Sequence, residues 1–344
     1  MTDPLIVWQN ASPVLLEAVR TGQLGRRANG GIAYEYHSVR ALEPAFRVAV
    51  DPEAVRRPEE PMLRYWARMR RHAPAGAALV VQDPRARAFA ARPGAPTVAV
   101  VHHIDYTLQR SSLKHRWYFA RLFDRLAEAD AVVTVSQFWK GELERAGCRR
   151  VEVIYNAFDG DACAFDADDL AAFRDAHALP HDRPLVYIGN ASKLKGVEEV
   201  YHALKGEGYT LVMSGRNNDT DVPARWFDLP RPDYLRLLAA CDVVVCMSRL
   251  LEGWNRVAHE AMLCGTPVIG SGAGGMRELL EGGGQVVLPD AAGLPEAVRT
   301  VLDRREAQGR AGKAYAARFD GRYFEAAWTS LARNMMEQTQ LVTQ

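Results

Sequence analysis

Several signals are missing from this 344-residue chain, and each absence removes a class of protein. No apolar run approaches the roughly 18–20 residues that a spanning helix needs. The longest run near the start, Leu5-Ile6-Val7-Trp8, is too short for a signal peptide and lacks a basic flank, so a cytoplasmic protein is expected. The five cysteines, Cys148, Cys163, Cys241, Cys246 and Cys264, form no C-x-x-C pair and have no His-rich partner run. That excludes a disulfide framework and the common zinc sites, and leaves buried free thiols as the expectation. There is no internal repeat or low-complexity tract. A net charge of +1, with no zinc-finger spacing and no RNP-type aromatic motif, argues against a dedicated nucleic-acid binder.

What is present is ordinary in bulk and specific in detail. Hydrophobic residues make up 48% and charged residues 25%, the balance of a water-soluble globular protein. The length exceeds one typical domain. Charge is unevenly spread. Residues 1–165 hold 23 basic and 18 acidic side chains and the remainder 20 and 24, so the first half suits an anionic partner better.

Short apolar runs alternate with longer helical patterns. Leu5–Trp8, Ala77–Val81, Thr97–Val101, Ala131–Val135 and Val151–Ile154 read as one series of strands. Leu185–Ile188, Leu211–Met213, Val243–Cys246, Val268–Ile269 and Gln285–Leu288 read as a second. Strands spaced by helices imply parallel sheets covered on both faces, so the fold class is α/β with two doubly wound, Rossmann-like domains. The acidic stretch Ala157–Pro184 reads as a linker with a short helix. The expected division is 1–165, 166–315 and a helical end, 316–344, that crosses back to the first domain; Tyr323, Phe324, Trp328, Leu331 and Met335 recur there at helical spacing. Ligands of such sheets bind at the carboxyl ends of the strands, and the natural site is a cleft between the domains.

The most informative stretch is LEGWNRVAHEAMLCGTPVIGSG, Leu251–Gly272. Val243–Cys246 is a strand, Met247–Gly253 its turn, Asn255 an N-cap and Val257–Cys264 a helix, with Gly265 at the left-handed C′ position. Glu252 then lies in the loop and Glu260 on the helix among Ala258, Ala261 and Met262. An acid among small and apolar residues is costly to bury without a donor partner. Vicinal sugar hydroxyls are such donors, and the helix N-terminus favours a diphosphate. A surface helix with solvated acids is the alternative.

Two acids eight positions apart followed by A-M-x-C-G-T-P-V-I resemble the family-4-type retaining glycosyltransferases of the GT-B fold. Other segments agree: Gly30-Gly31 before a helix, Val101-His102-His103, Val133-Thr134-Val135-Ser136, Val153-Ile154-Tyr155-Asn156, Tyr187-Ile188-Gly189 with Lys195-Gly196, and Gly274-Gly275-Met276-Arg277-Glu278. The resemblance implies a nucleotide-sugar donor held by the second domain. Glu260 would bind the ribose hydroxyls, Glu252 would lie at the donor sugar and Lys195 at the diphosphate. Backbone N–H groups around Gly253, Trp254, Asn255 and Arg256 would face sugar and phosphate. His102 would reach the donor sugar from the first domain, and Gly30-Gly31 would lie at the donor phosphate or the acceptor. His102, Glu252 and Lys195 are the catalytic candidates, with no resident cofactor and no metal.

The match fails at one position. The family places an Arg directly after the Gly of the strand that precedes Lys195, and this chain has Asn190 there. Such cations stabilise a departing diphosphate, often by several kcal/mol in the transition state. Lys193 in the same loop, or Arg256 at a position usually apolar in the family, is expected to compensate; Asn190 bonding phosphate by itself is the rival account. Asp219-Thr220-Asp221 is a D-x-D, which reads as a polar loop.

Leu108–Leu126 interleaves a buried-type stripe, Phe119, Leu122, Phe123 and Leu126, with Arg110, Lys114, Arg121 and Arg125 around Trp117 and Tyr118. Arg56-Arg57 and Arg64–Arg71 add to it. This pattern suits peripheral contact through 108–126 with an anionic membrane at its inner face, or a lipid-diphosphate acceptor; a solvated basic face is the alternative. The expected activity is sugar transfer from a nucleotide-diphosphate sugar to a glycan or lipid-linked acceptor. A non-catalytic GT-B partner and a sugar-nucleotide epimerase are the alternatives.

Overall fold

The computed structural model describes residues 3–25 and 28–342. Arg26 and Arg27, in the loop expected before Gly30, lie outside the described residues. The chain divides into two compact units, residues 1–157 with 321–344, and residues 158–320.

The first unit is a six-stranded parallel sheet in the order β2-β1-β3-β4-β5-β6. Its strands are β1 (Leu5–Gln9), β2 (Arg47–Val50), β3 (Leu79–Gln82), β4 (Thr97–Val100), β5 (Ala131–Thr134) and β6 (Val151–Val153). β3, β4 and β5 are buried along their whole length, as strands covered on both faces must be. β2 was not expected from the sequence. Arg47-Val48-Ala49-Val50 is short, and as an edge strand only Val50 is fully buried, so it has neither a continuous apolar run nor a full alternation.

The second unit has the strand order β12-β11-β10-β7-β8-β9, again parallel. Its strands are β7 (Leu185–Asn190), β8 (Thr210–Ser214), β9 (Arg225–Phe227), β10 (Val243–Cys246), β11 (Val268–Gly270) and β12 (Val286–Val287). β9, an edge strand reading Arg-Trp-Phe, also escaped the sequence reading for want of length. The order reverses between β7 and β10, where a doubly wound sheet opens a crevice at its carboxyl edge. In the first unit the corresponding point lies between β1 and β3.

The boundaries fall at 157/158 and 320/321 rather than at 165/166 and 315/316. Phe158 N donates to Phe319 O at 3.2 Å, and Cys163 is buried within the second unit, so residues 158–165 belong there. The terminal helix, Gly321–Val342, packs on the first unit. Trp328 lies 5.4 Å from Trp8 between ring centroids, Phe324 packs edge-on to Tyr34, and Tyr155 N donates to Tyr323 Oη at 3.1 Å. Among the described residues, no helix is long and apolar enough to cross a membrane.

Candidate functional site

In the second unit, the loops after β7 and β10 bracket the point where strand order reverses. Gly189 is the penultimate residue of β7, and its φ of +115° is open to glycine and strained for other residues. Asn190 follows, its Oδ1 accepting from Tyr187 Oη at 2.7 Å. A single turn, Lys193–Lys195, then leads to Gly196, at φ +72°. A side chain at Gly196 would place its Cβ 2.1 Å from Met247 O, so the two loops touch backbone to backbone.

That contact sets Lys195 against Glu252. Lys195 Nζ donates to Glu252 Oε1 at 2.7 Å, with the carboxylate side chain only 14% exposed. Glu252 is anchored through its backbone: its N–H donates to Ala273 O at 3.2 Å, and its carbonyl accepts from Gly275 N at 2.8 Å. Gly274, at φ +66°, lets the two segments close, because a Cβ there would fall 2.4 Å from Glu252 O. The Gly274-Gly275 pair in the sequence therefore shapes the loop that presents Glu252.

The helix after this loop runs Arg256–Leu263 and is capped by Asn255, whose Oδ1 accepts from Ala258 N at 2.9 Å. Gly265 takes the left-handed conformation beyond its end, as the sequence predicts. Glu260 is 2% exposed. Its Oε1 accepts from Arg231 Nη1 at 2.8 Å and from Arg256 Nη2 at 3.5 Å, and the buried Tyr234 phenol lies close enough for the carboxylate charge to push its pKa further up. Burial of this acid is thus balanced by two guanidinium groups, one more positive charge than the carboxylate needs. The Arg256 guanidinium also lies over the Phe158 ring at 4.9 Å. Arg231 and Tyr234 were missed in the sequence. Arg231-Pro232 opens a helix, Arg231–Ala240, which was its only local mark.

Trp254 is buried, and its Nε1 donates to His259 Nδ1 at 2.9 Å. Indole N–H is a donor only, so His259 carries its proton on Nε2 and donates it to Ala316 O at 3.2 Å. Burial pushes the His259 imidazole down to about 3, against the Ala316 hydrogen bond. Gly253 is buried beside Trp254. Lys193 lies on the rim: its Nζ is 3.6 Å from Glu198 and 3.7 Å from Asp221, and its N–H donates to Asp219 at 2.9 Å. The D-x-D acids fasten this loop.

In the first unit the structure brings together Gly30, Gly31 and His102. The helix Gly30–Leu42 is capped by Asn29, and His102 follows β4. A Cβ on Gly31 would lie 3.3 Å from His102 Cδ2, so glycine there permits the ring's close approach. One turn on, Glu35 is buried. Its Oε2 accepts from Trp8 Nε1 and Asn10 Nδ2, both at 2.7 Å. Burial, with the charge of Asp83 adding, pushes this carboxyl up to about 8 despite the two donors. Nothing in the local sequence marked Glu35, because its partners lie 25 and 27 residues away.

Comparison with known proteins follows the same division. Residues 27–161 match Glycosyltransferase Family 4, and residues 183–304 match Glycosyl transferases group 1. Glycogen synthase of Mycobacterium tuberculosis is 30% identical over 54% of this chain and 49% of its own. D-inositol 3-phosphate glycosyltransferase of Mycolicibacterium paratuberculosis is 29% identical over 52% and 46%. The chain thus spans about half the length of these curated relatives. Among solved structures, sucrose-phosphate synthase from Thermosynechococcus elongatus superposes with a TM-score of 0.76 at 18% identity, covering 97% of this chain and 100% of that one. HepE of Anabaena, solved with UDP-glucose, gives 0.66 at 20% identity, covering 98% and 100%. With both segments of the sequence matched and the fold shared along the chain, this chain belongs to the family-4 and group-1 glycosyltransferases of the GT-B fold.

Proposed function

We propose that this protein is a retaining, metal-independent glycosyltransferase that moves a sugar from a nucleotide-diphosphate sugar to a glycan or lipid-linked acceptor at the inner face of a membrane. The observation that carries the reading is the placement of Lys195, Glu252 and the Asn255-capped helix around the β7/β10 switch point. A cation, an acid and a helix N-terminus converge where an open sheet takes its ligand. Glu260 accepts the ribose hydroxyls, and Lys195 neutralises the diphosphate. Glu252 and His102 lie at the donor sugar, and Gly30-Gly31 offer backbone to phosphate or acceptor. The acceptor attacks from the leaving-group face and passes its proton to the departing diphosphate.

Asn190 supplies no charge, so a nearby cation completes the clamp. Arg256 fits that role better than Lys193. Arg231 already holds Glu260 at the shorter distance, which leaves Arg256 the looser partner, whereas Lys193 is engaged by Glu198 and Asp221. Two of the similar structures were solved with UDP and with UDP-glucose, so UDP is the first nucleotide to try.

The test is metal-free calorimetry of UDP, GDP, ADP and dTDP with the wild type and Glu260→Ala. One diphosphate should bind in the micromolar range (Kd of order 10⁻⁶ M, about −8 kcal/mol) and lose at least tenfold in the variant. Failure of all four to bind would sink the donor site and favour a non-catalytic GT-B partner, for which the Asn190 substitution is the motivating observation.

A further inference from the structure

One surface of the first unit takes no part in the donor chemistry. It is made by the helices Met62–Met69 and Leu113–Ala127. Leu63 is 67% exposed and Leu113 is 79% exposed, and Trp117 keeps 43% of its surface in solvent. Solvent exposure of this degree on three large apolar side chains is a cost unless something covers them.

The two helices present matching stripes. Leu63, Trp66 and Arg70 follow one another at i, i+3 and i+7, and Leu113, Trp117 and Arg121 at i, i+4 and i+8. Each stripe runs from an aliphatic side chain through an indole to a guanidinium. The stripes join at the indoles, since Trp66 meets Trp117 edge-on at 6.1 Å. The Arg70 and Arg121 guanidiniums both lie over Trp66, at 5.3 and 5.6 Å. Beneath, Phe89 stacks on Trp117 at 6.0 Å and fixes its ring.

Charge around this face has one sign. Residues 62–71 carry Arg64, Arg68, Arg70 and Arg71 and no acid; residues 106–123 carry Arg110, Lys114, Arg116 and Arg121 and no acid. Arg68 is committed to Glu60 at 2.8 Å. Among the described residues, none of the other seven lies in an ion pair with a carboxylate. The Leu108–Leu126 stretch of the sequence is in fact two helices broken at Ser111-Ser112, and the turn of Ser112 as N-cap lifts Leu113 to the outer end of the second. The Arg64–Arg71 run, weak by itself as a sequence signal, supplies the other half of the surface.

We propose that this two-helix face seats the protein on an anionic phospholipid bilayer, with Leu63, Leu113 and Trp117 entering the headgroup boundary and the ring of cations meeting lipid phosphates. Aliphatic tips, interfacial indoles and cations without a carboxylate partner are the three elements of peripheral attachment, and each is present at the same spot. A protein partner would need a matching acidic surface with recesses for the two leucines. A fluid leaflet supplies both charge and compliance. The proposal deepens the lipid-linked acceptor reading by naming the surface that brings the chain to its acceptor.

The experiment is sedimentation of the full chain with vesicles of phosphatidylcholine alone and with about one-third phosphatidylglycerol, at low and high salt. Wild type should pellet with the anionic vesicles at low salt, stay in solution with the neutral ones, and be released by salt. Leu113→Ser with Trp117→Ala, and separately Arg70→Glu with Arg116→Glu, should each weaken retention at least tenfold while nucleotide affinity stays as in wild type; the charge variant should also keep the wild-type thermal melt. Wild type left in solution with anionic vesicles at low salt overturns the proposal, as do variants that pellet as wild type does. Concentration-dependent dimerisation abolished by Leu113→Ser with Trp117→Ala would also overturn it, assigning the face to a second copy of the chain. Nucleotide binding without vesicle binding leaves the donor reading intact; vesicle binding without nucleotide binding leaves only the surface.

Discussion

His259 lies inside the second unit with Trp254, Phe158 and Phe319 around it, and it donates through Nε2 and accepts through Nδ1. A protonated imidazole would lose the Trp254 hydrogen bond and carry an unsolvated charge. Its pKa is therefore depressed in the folded state to about 3, from an ordinary value of 6.5. Between those limits the unfolded chain binds a proton that the folded one does not. The contribution of His259 to stability is thus fully present above pH 6.5 and is lost as pH falls toward 3, by up to roughly 1.4 kcal/mol per unit, while the raised Glu35 carboxyl contributes a slope of opposite sign over the same range. We expect the slope of unfolding free energy against pH, from urea titrations between pH 7 and 5, to fall by about that amount from wild type to His259→Gln, whatever the variant's stability at pH 7. An unchanged slope would show that the group responsible lies elsewhere. At this scale the sequence was legible where partners were near in the chain. Asn255 as a cap, Gly265 as a helix end and the spaced pair Glu252 and Glu260 could all be read from short-range pattern. Arg231 on Glu260 and Trp8 on Glu35 could not, because such pairs are created by the packing of distant elements.

Elements with long apolar runs were equally legible: ten of the twelve strands among the described residues follow from the pattern, and the two missed are short edge strands with one side open. What the pattern did not reveal is how the loops at the switch point touch. Gly196 and Gly208 make the point by contrast. Both hold positive φ, at +72° and +84°, but a Cβ on Gly196 would strike Met247 O, whereas nothing lies within 4 Å of the same position on Gly208. Gly208→Ala should cost only backbone strain, about 1–2 kcal/mol. Gly196→Ala should cost that strain and also force apart the loops that carry Lys195 and Glu252. The expected result is a donor nucleotide affinity reduced more than tenfold in Gly196→Ala and unaltered in Gly208→Ala, measured by calorimetry. Equal behaviour of the two variants would mean that the Lys195–Glu252 pairing does not depend on this contact.

At the scale of the whole molecule, the chain visits the first unit, leaves it at Ala157, and returns at Gly321. The second unit is therefore an insert within the first rather than its successor, a nesting that a reading by linear segments does not disclose. Both crossings are pinned within their own units. Phe158 and Phe319 are hydrogen-bonded at the ends of the insert, and Tyr155 pairs with Tyr323 at the ends of the host. Adjacent ends make each piece separable: residues 158–320 should melt cooperatively when produced alone, and residues 1–157 should not, since they lack the helix whose Trp328 is 1% exposed against Trp8 and Tyr34. Calorimetric scans of the two fragments would check this. A gene joining residue 157 to 321 through a few flexible residues would then restore the host without its insert. Nesting of this kind gives two chain connections in place of one, so a single proteolytic nick at either crossing still leaves the halves covalently tethered.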